Sequence, residues 1–302
     1  MSVQIGITIV LGIIFVVFAL SWGAHSVRGK VALPKWFELL IGLVTDFFDT
    51  LGIGSFAPTT SAFKTLHVVP DQRIPGTLNV GHTLPTIVEA LLFIGLGSSV
   101  TVEPLTLVLL IVAAVLGAWL GAGIVARWPR RYVQVGMGSA LIVAATIFVL
   151  QNLKVLPSGG HAVELRGLLL AAGMIGNFIL GALMTVGVGL YAPAMIMVSL
   201  LGMESGAAWP IMTGACAVLM PFASWRFVKY GAFTSRAALG LALGGIPGVV
   251  LAYFFFQKLL PINDIKWLVT VVVIYAATMM LRSALIERNA ERAVGAGAVV
   301  PE

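Results

Sequence analysis

The stretch "DTLGIGSFAPTT", residues 49–60, decides how this chain is read. Two glycines, a proline and several hydroxyl side chains interrupt a run whose neighbours are strongly apolar. Glycine and proline break helices: glycine turns the chain at positive φ, and proline lacks the backbone N–H. A second such break, "MTVGVGLYAPAM", occupies residues 184–195. Gly52, Gly54, Ala57 and Pro58 match Gly187, Gly189, Ala192 and Pro193 at a constant offset of 135 residues. Thr50 matches Thr185, and Phe56 matches the aromatic Tyr191.

The surroundings make these breaks events inside a membrane. The chain has 302 residues, 59% of them hydrophobic and 10% charged, with a mean hydropathy of +1.04. That composition needs lipid as the solvent for most of the surface. A single cysteine, Cys216, excludes an internal disulfide and reads as a packing residue. The net charge of +6 lies in short clusters between apolar segments, the pattern of cytoplasmic loops rather than of nucleic-acid binding. The first apolar segment, 4–24, has its basic residues after it, at Arg28, Lys30 and Lys35. It therefore reads as a retained span with the N-terminus outside.

Seven segments read as single spans: 4–24, 75–98, 104–126, 132–151, 207–225, 237–257 and 266–284. Two more, 36–67 and 168–202, are too long for one span and carry the breaks. Fainter echoes follow each break: "LGAWLG" at 116–121 and "LGGIPG" at 243–248, then "AAT" at 144–146 and 276–278. The predicted organisation is an extra N-terminal helix (1–30), a first repeat (36–152), a second repeat (165–285) and a cytoplasmic tail (286–302). If each broken segment returns to its own side, the inside loops hold 14 Lys and Arg and the outside loops 4. Full crossings would give 11 and 7. The positive-inside rule favours the re-entrant hairpin. Three crossings per repeat then invert the second copy relative to the first. The expected fold is an all-α polytopic membrane protein of two inverted repeats, each a broken-helix hairpin followed by three transmembrane helices. Inverted repeats with discontinuous helices characterise secondary transporters.

Irregular backbone at membrane depth is tolerated only inside protein or beside a water-filled cavity. The N–H groups after each break, led by Pro58 and Pro193, are expected to face such a cavity, where a helix N-terminus attracts anions. The candidate substrate-binding residues are Thr50, Gly52, Gly54, Ser55, Phe56, Thr59, Thr185, Gly187, Gly189, Tyr191, Asn79, His82 and Thr83. The first repeat adds ionisable groups that the second lacks: Asp46, Asp49, His82 and Glu89. Such groups inside a bilayer mark a site or a proton route, so these four form the candidate coupling path. Asn79, His82, Thr83 and Thr86 share one helical face by spacing, with Glu89 a turn beyond. Packing is the plainer account of the glycines, as a hydrogen-bonded core residue is of His82. Trp22, Trp36, Trp128, Trp209 and Trp267 lie near segment ends and read as interfacial anchors. No catalytic motif or metal-ligand spacing is present in the sequence, so no enzyme activity, cofactor or metal is expected.

The two "T-x-G-x-G-x-[FY]-A-P" breaks, the run "GVGLYAPAMIMVSLLGMESGAAWPIMTGA" and the later "GAFTSRAALGLALGGIPGVVLA" resemble the sulfite exporter TauE/SafE family of bacterial membrane transporters. The resemblance covers about residues 36–285. It implies export of sulfite or an organosulfonate across the bacterial cytoplasmic membrane. The chain differs in its first break, Gly-Ile-Gly-Ser rather than a longer glycine run, and in the polar "NVGHTLPT". Expected partners are a small anionic substrate, the lipid bilayer, and a proton or cation as coupling ion, with a homo-oligomer open and no nucleic acid. An anion channel, a membrane-embedded enzyme using His82 with Asp49 or Glu89, and a structural partner subunit stand as alternatives.

Overall fold

A computed structural model describes residues 2–29, 31–52, 54–97, 100–121, 160–184 and 189–259, with scattered positions in 135–155 and 267–289. The predicted spans 132–151 and 266–284 are described only in part, and the tail beyond 289, Trp128, Thr185 and Gly187 lie outside these residues. The described chain is helical. Its one β-type pairing is an isolated bridge between Ala162 and Met203.

Helix α1 spans Ser2–Arg28, α2 Trp36–Thr50, α3 Phe56–Thr65 and α4 Ile74–Ala90, which runs on as a π-helical turn over Leu91–Leu96. Helix α5 spans Pro104–Leu116 and also ends in a π-helical turn, Gly117–Gly121. Then follow α6 (Gly167–Met184), α7 (Tyr191–Leu200), α8 (Ala208–Tyr230) and α9 (Ser235–Leu259). Among the described residues, 5 helices are long and apolar enough to cross a membrane. The chain is an all-α, multi-pass membrane protein.

Both long segments are indeed broken, α2 from α3 and α6 from α7. The 135-residue offset extends to their backbone. Helix α3 maps onto α7 residue for residue, 56–65 onto 191–200. Both helices close with the same turn. Leu66, His67 and Val68 N–H donate to Ala62, Lys64 and Phe63, while Leu201, Gly202 and Met203 donate to Met197, Ser199 and Val198. The residue that turns the chain has positive φ in each copy, His67 at 50° and Gly202 at 79°.

The packing crosses between halves. Helix α9 lies along α2, and α5 lies along α6. Glycines allow the close approach: Gly244 and Gly248 sit against the Leu39 and Leu43 backbone, and Gly117 and Gly181 against Phe178 and Ala114. At one end of the bundle the Arg236 guanidinium donates to Glu38 Oε1 at 3.0 Å and Thr234 N–H to Thr77 Oγ1 at 3.0 Å. The start of α2 and the start of α4 therefore both meet the turn before α9. At another junction Glu103 N–H donates to Val163 O, Leu165 N–H to Thr106 Oγ1, and Ala162 pairs with Gly202 and Glu204. The start of α6 and the end of α7 meet there. Glu103 caps α5, and the Thr106 and Leu105 N–H groups hold its carboxyl below the usual range.

Two tryptophans depart from the anchor reading. Trp36 and Trp267 are exposed, but Trp22 packs on Phe18 in an interior cluster and Trp209 is 2% exposed. Trp209 is inside because a broken helix leaves carbonyls that need donors, and its Nε1 supplies one to Thr50 O at 3.0 Å.

Candidate functional site

The first break is built by glycine and held by a carboxylate. Gly52 and Gly54 adopt φ of 95° and 83°, which a side chain would oppose. Asp49, in the last turn of α2, reaches over them. Its Oδ1 accepts from Ser55 N–H at 2.8 Å and its Oδ2 from Ser55 Oγ at 3.1 Å. Ser55 is the N-cap of α3, so the negative charge sits at the positive end of that helix dipole. An anion approaching the start of the first half-helix therefore meets the Asp49 carboxylate, which already takes the Ser55 N–H there. Among the described residues the second break has no such group: Met184 stands where Asp49 does, and Leu190 makes no side-chain cap on α7.

Behind the first break lies a buried polar chain. His82 Nδ1 is 2.8 Å from Asp46 Oδ1, and His82 Nε2 is 3.1 Å from Thr59 Oγ1. One imidazole thus ties together α2, α3 and α4. All three side chains are fully buried. Gly245 of α9 makes room for the pair: a Cβ there would collide with Asp46 Oδ2. Phe56 lies beside the imidazole, ring centroids 6.1 Å apart. Thr50 is turned inward to its own helix, donating to Asp46 O.

The two halves meet in a second contact. Tyr191, the first residue of α7, donates its phenol to Glu89 Oε2 at 2.8 Å. A cavity of about 20 Å³ lies between the breaks. Asp49, Gly54, Ser55 and Phe56 line it from the first, and Gly189, Leu190 and Tyr191 from the second. Thr86 closes it from α4, Met184 from α6, and Cys216 and Met220 from α8. The space suits about one water molecule.

Sequence reasoning placed the breaks and the polar face of α4, but the face divides. Thr86 reaches the cavity and His82 the Asp46 pair. Thr83 turns toward α8, its Oγ1 2.9 Å from Ser224 Oγ, whereas Asn79 Nδ2 donates to Pro75 O within its own helix. The sulfur wall was not anticipated. Cys216, read as packing, is buried with its Sγ 3.5 Å from Met184 Sδ, and it also lines the cavity. Cys216 and Met220 share one face of α8 by their i, i+4 spacing, but nothing in the sequence joins that face to Met184 on α6. Among the described residues no three His, Cys, Asp or Glu side chains form a metal-holding group. Comparison with family models, curated proteins and solved structures found no match to the chain.

Proposed function

We propose that this protein is a secondary transporter that moves a small anion, sulfite or an organosulfonate by the resemblance of its breaks, outward across the cytoplasmic membrane. The observation that carries the reading is the pair of helix breaks facing one cavity deep in a helical bundle. Backbone is left irregular at that depth only where it serves a cavity. The paired element bounds and the crossed packing of α9 on α2 and α5 on α6 support two inverted repeats. The contacts that join each broken segment's two ends to neighbouring turns support re-entrant hairpins.

The two breaks take different tasks in this scheme. The N-terminus of α7, with Gly189, Leu190 and Tyr191 on the cavity and no acidic cap, receives the anion. The other side is acidic, and repels an anion while Asp46, Asp49 and Glu89 are charged. Protons there lift that repulsion, which links anion occupancy to protonation. The His82 bridge between Asp46 and Thr59 fits a proton route ending at α3. The cavity as it stands is too small for a sulfonate, which supports a carrier whose halves must part rather than an open channel.

Purified protein in proteoliposomes tests this. Uptake and efflux of sulfite, sulfonates, carboxylates and phosphate are followed with and without a proton gradient. Saturable counterflow of one anion class is the expected result; single-channel currents, or no flux of any of the four classes, would sink the proposal.

A further inference from the structure

Glu89 is 0% exposed and, among the described residues, has one hydrogen-bond partner, the Tyr191 phenol at 2.8 Å on Oε2. Its Oε1 is buried with no partner among the described residues. Among the described residues, the titratable groups that bear on it are Asp49 and Asp46 from α2, the Tyr191 phenol from α7 and the Cys216 thiol from α8. None is a cation. On its own helix His82 is two turns away and is committed to Asp46. The charged groups Glu38 and Arg236 pair with each other at the far end of α2 and α9.

A lone buried carboxylate with one donor and no counter-charge is among the costliest groups to keep in a membrane interior. A carboxyl group carrying a proton is not. The second repeat has no acid at this place: Ser224 stands where Glu89 does, and it bonds Thr83 instead. Nothing in helix packing requires an acid at position 89.

We infer that Glu89 is a proton-binding residue of this protein, loaded and unloaded through the Tyr191 hydroxyl, which touches both the Glu89 carboxyl and the cavity. In loading, a cavity proton passes to the Tyr191 oxygen as the phenol proton passes to Glu89 Oε2; no other bond changes, and release reverses the two transfers. This site is separate from the Asp46–His82 pair and deepens the proposed transport reading by naming where the coupled proton resides. The link falls between the two halves of the molecule, so parting them breaks it.

Infrared difference spectroscopy of the full-length protein in lipid, taken as a pH titration, tests this without any substrate. A protonated-carboxyl C=O band is expected that vanishes in Glu89→Gln and shifts upward in frequency in Tyr191→Phe, where the carboxyl loses its hydrogen bond with the phenol. Tyr191→Phe removes one oxygen and guards against a folding defect in the first variant. Absence of a protonated-carboxyl band in the wild type, or a band unmoved in both variants, overturns the assignment. Sulfite flux of the wild type in proteoliposomes bears on the transport reading alone. A chain that shows the Glu89 band and carries no anion keeps the proton site and loses the transporter.

Discussion

Asp49 spans the first helix break to Ser55, its two oxygens taking the N–H at 2.8 Å and the hydroxyl at 3.1 Å. The contact fixes the angle at which α3 leaves α2, and it satisfies one of the donors that a helix start leaves open. Asp49→Ala is expected to lower stability by about 1 kcal/mol, the usual worth of such a cap. Thermal unfolding in detergent measures it. Wild-type melting would mean that the glycine turn alone sets the break.

The glycines test the breaks themselves. A side chain at Gly52 meets Met195 Sδ of α7 as well as an unfavourable φ, whereas Gly54 has open space and only the φ of 83° against it. Gly52→Val, Gly54→Val, Gly187→Val and Gly189→Val are expected to insert normally and lose transport. Gly52→Val should be the most severe of the described positions, because it also pushes the two halves apart. Normal flux in all four variants would make the breaks packing features.

What could be read from sequence divides along a physical line. The break positions, the repeat offset and the polar residues of α4 are carried by residue type and spacing along one segment. They appear where the spacing puts them. The Asp49 cap needed the turn geometry, since it joins residues six apart through two glycines. Trp209 has the sequence position of an interfacial anchor, and only the Thr50 carbonyl exposed by the break draws it inside. The cavity's sulfur side chains come from two helices, α6 and α8; the i, i+4 spacing puts Cys216 and Met220 on one face, but only the packing brings Met184 to it.

Gly245 shows the same limit and yields a sharp test. It reads as one of several small residues in "LGGIPG", yet it is the one whose missing side chain admits the Asp46 carboxylate. Gly245→Ala is expected to displace Asp46 from His82 and to reproduce the pH profile of Asp46→Asn while α9 stays helical. Measuring sulfite flux against pH in both variants decides it. A wild-type profile for Gly245→Ala would show that the pair tolerates the shift.

The turn contacts lead to a prediction about topology. Thr77 bonds the backbone of Thr234, and Glu38 pairs with Arg236. The loops that hold Lys35, Arg73 and Arg236 should therefore be labelled from one side of the membrane. Single cysteines at positions 71 and 232 are expected to react from the cytoplasmic side, and one at 164 from the outside. Labelling of position 71 only from outside would sink the inverted arrangement.

His82 joins three helices through one ring, with Asp46 on Nδ1 and Thr59 on Nε2. Glutamine matches much of its size, but it has one acceptor oxygen and one amide nitrogen on a single carbon. It cannot span both partners along the same line, and it does not titrate. Histidine is the side chain whose ordinary range falls near neutral pH. If protons are linked to anion movement through this bridge, His82→Gln flattens the dependence of flux on pH between about 5 and 8. Anion exit already gains roughly 2.3 kcal/mol per charge per 100 mV from an inside-negative membrane, so coupling is not energetically required. An unchanged pH profile in His82→Gln, together with Asp46→Asn, Asp49→Asn and Glu89→Gln, would leave uniport down the membrane potential as the account of the flux. The buried chain would then be a structural tie among α2, α3 and α4.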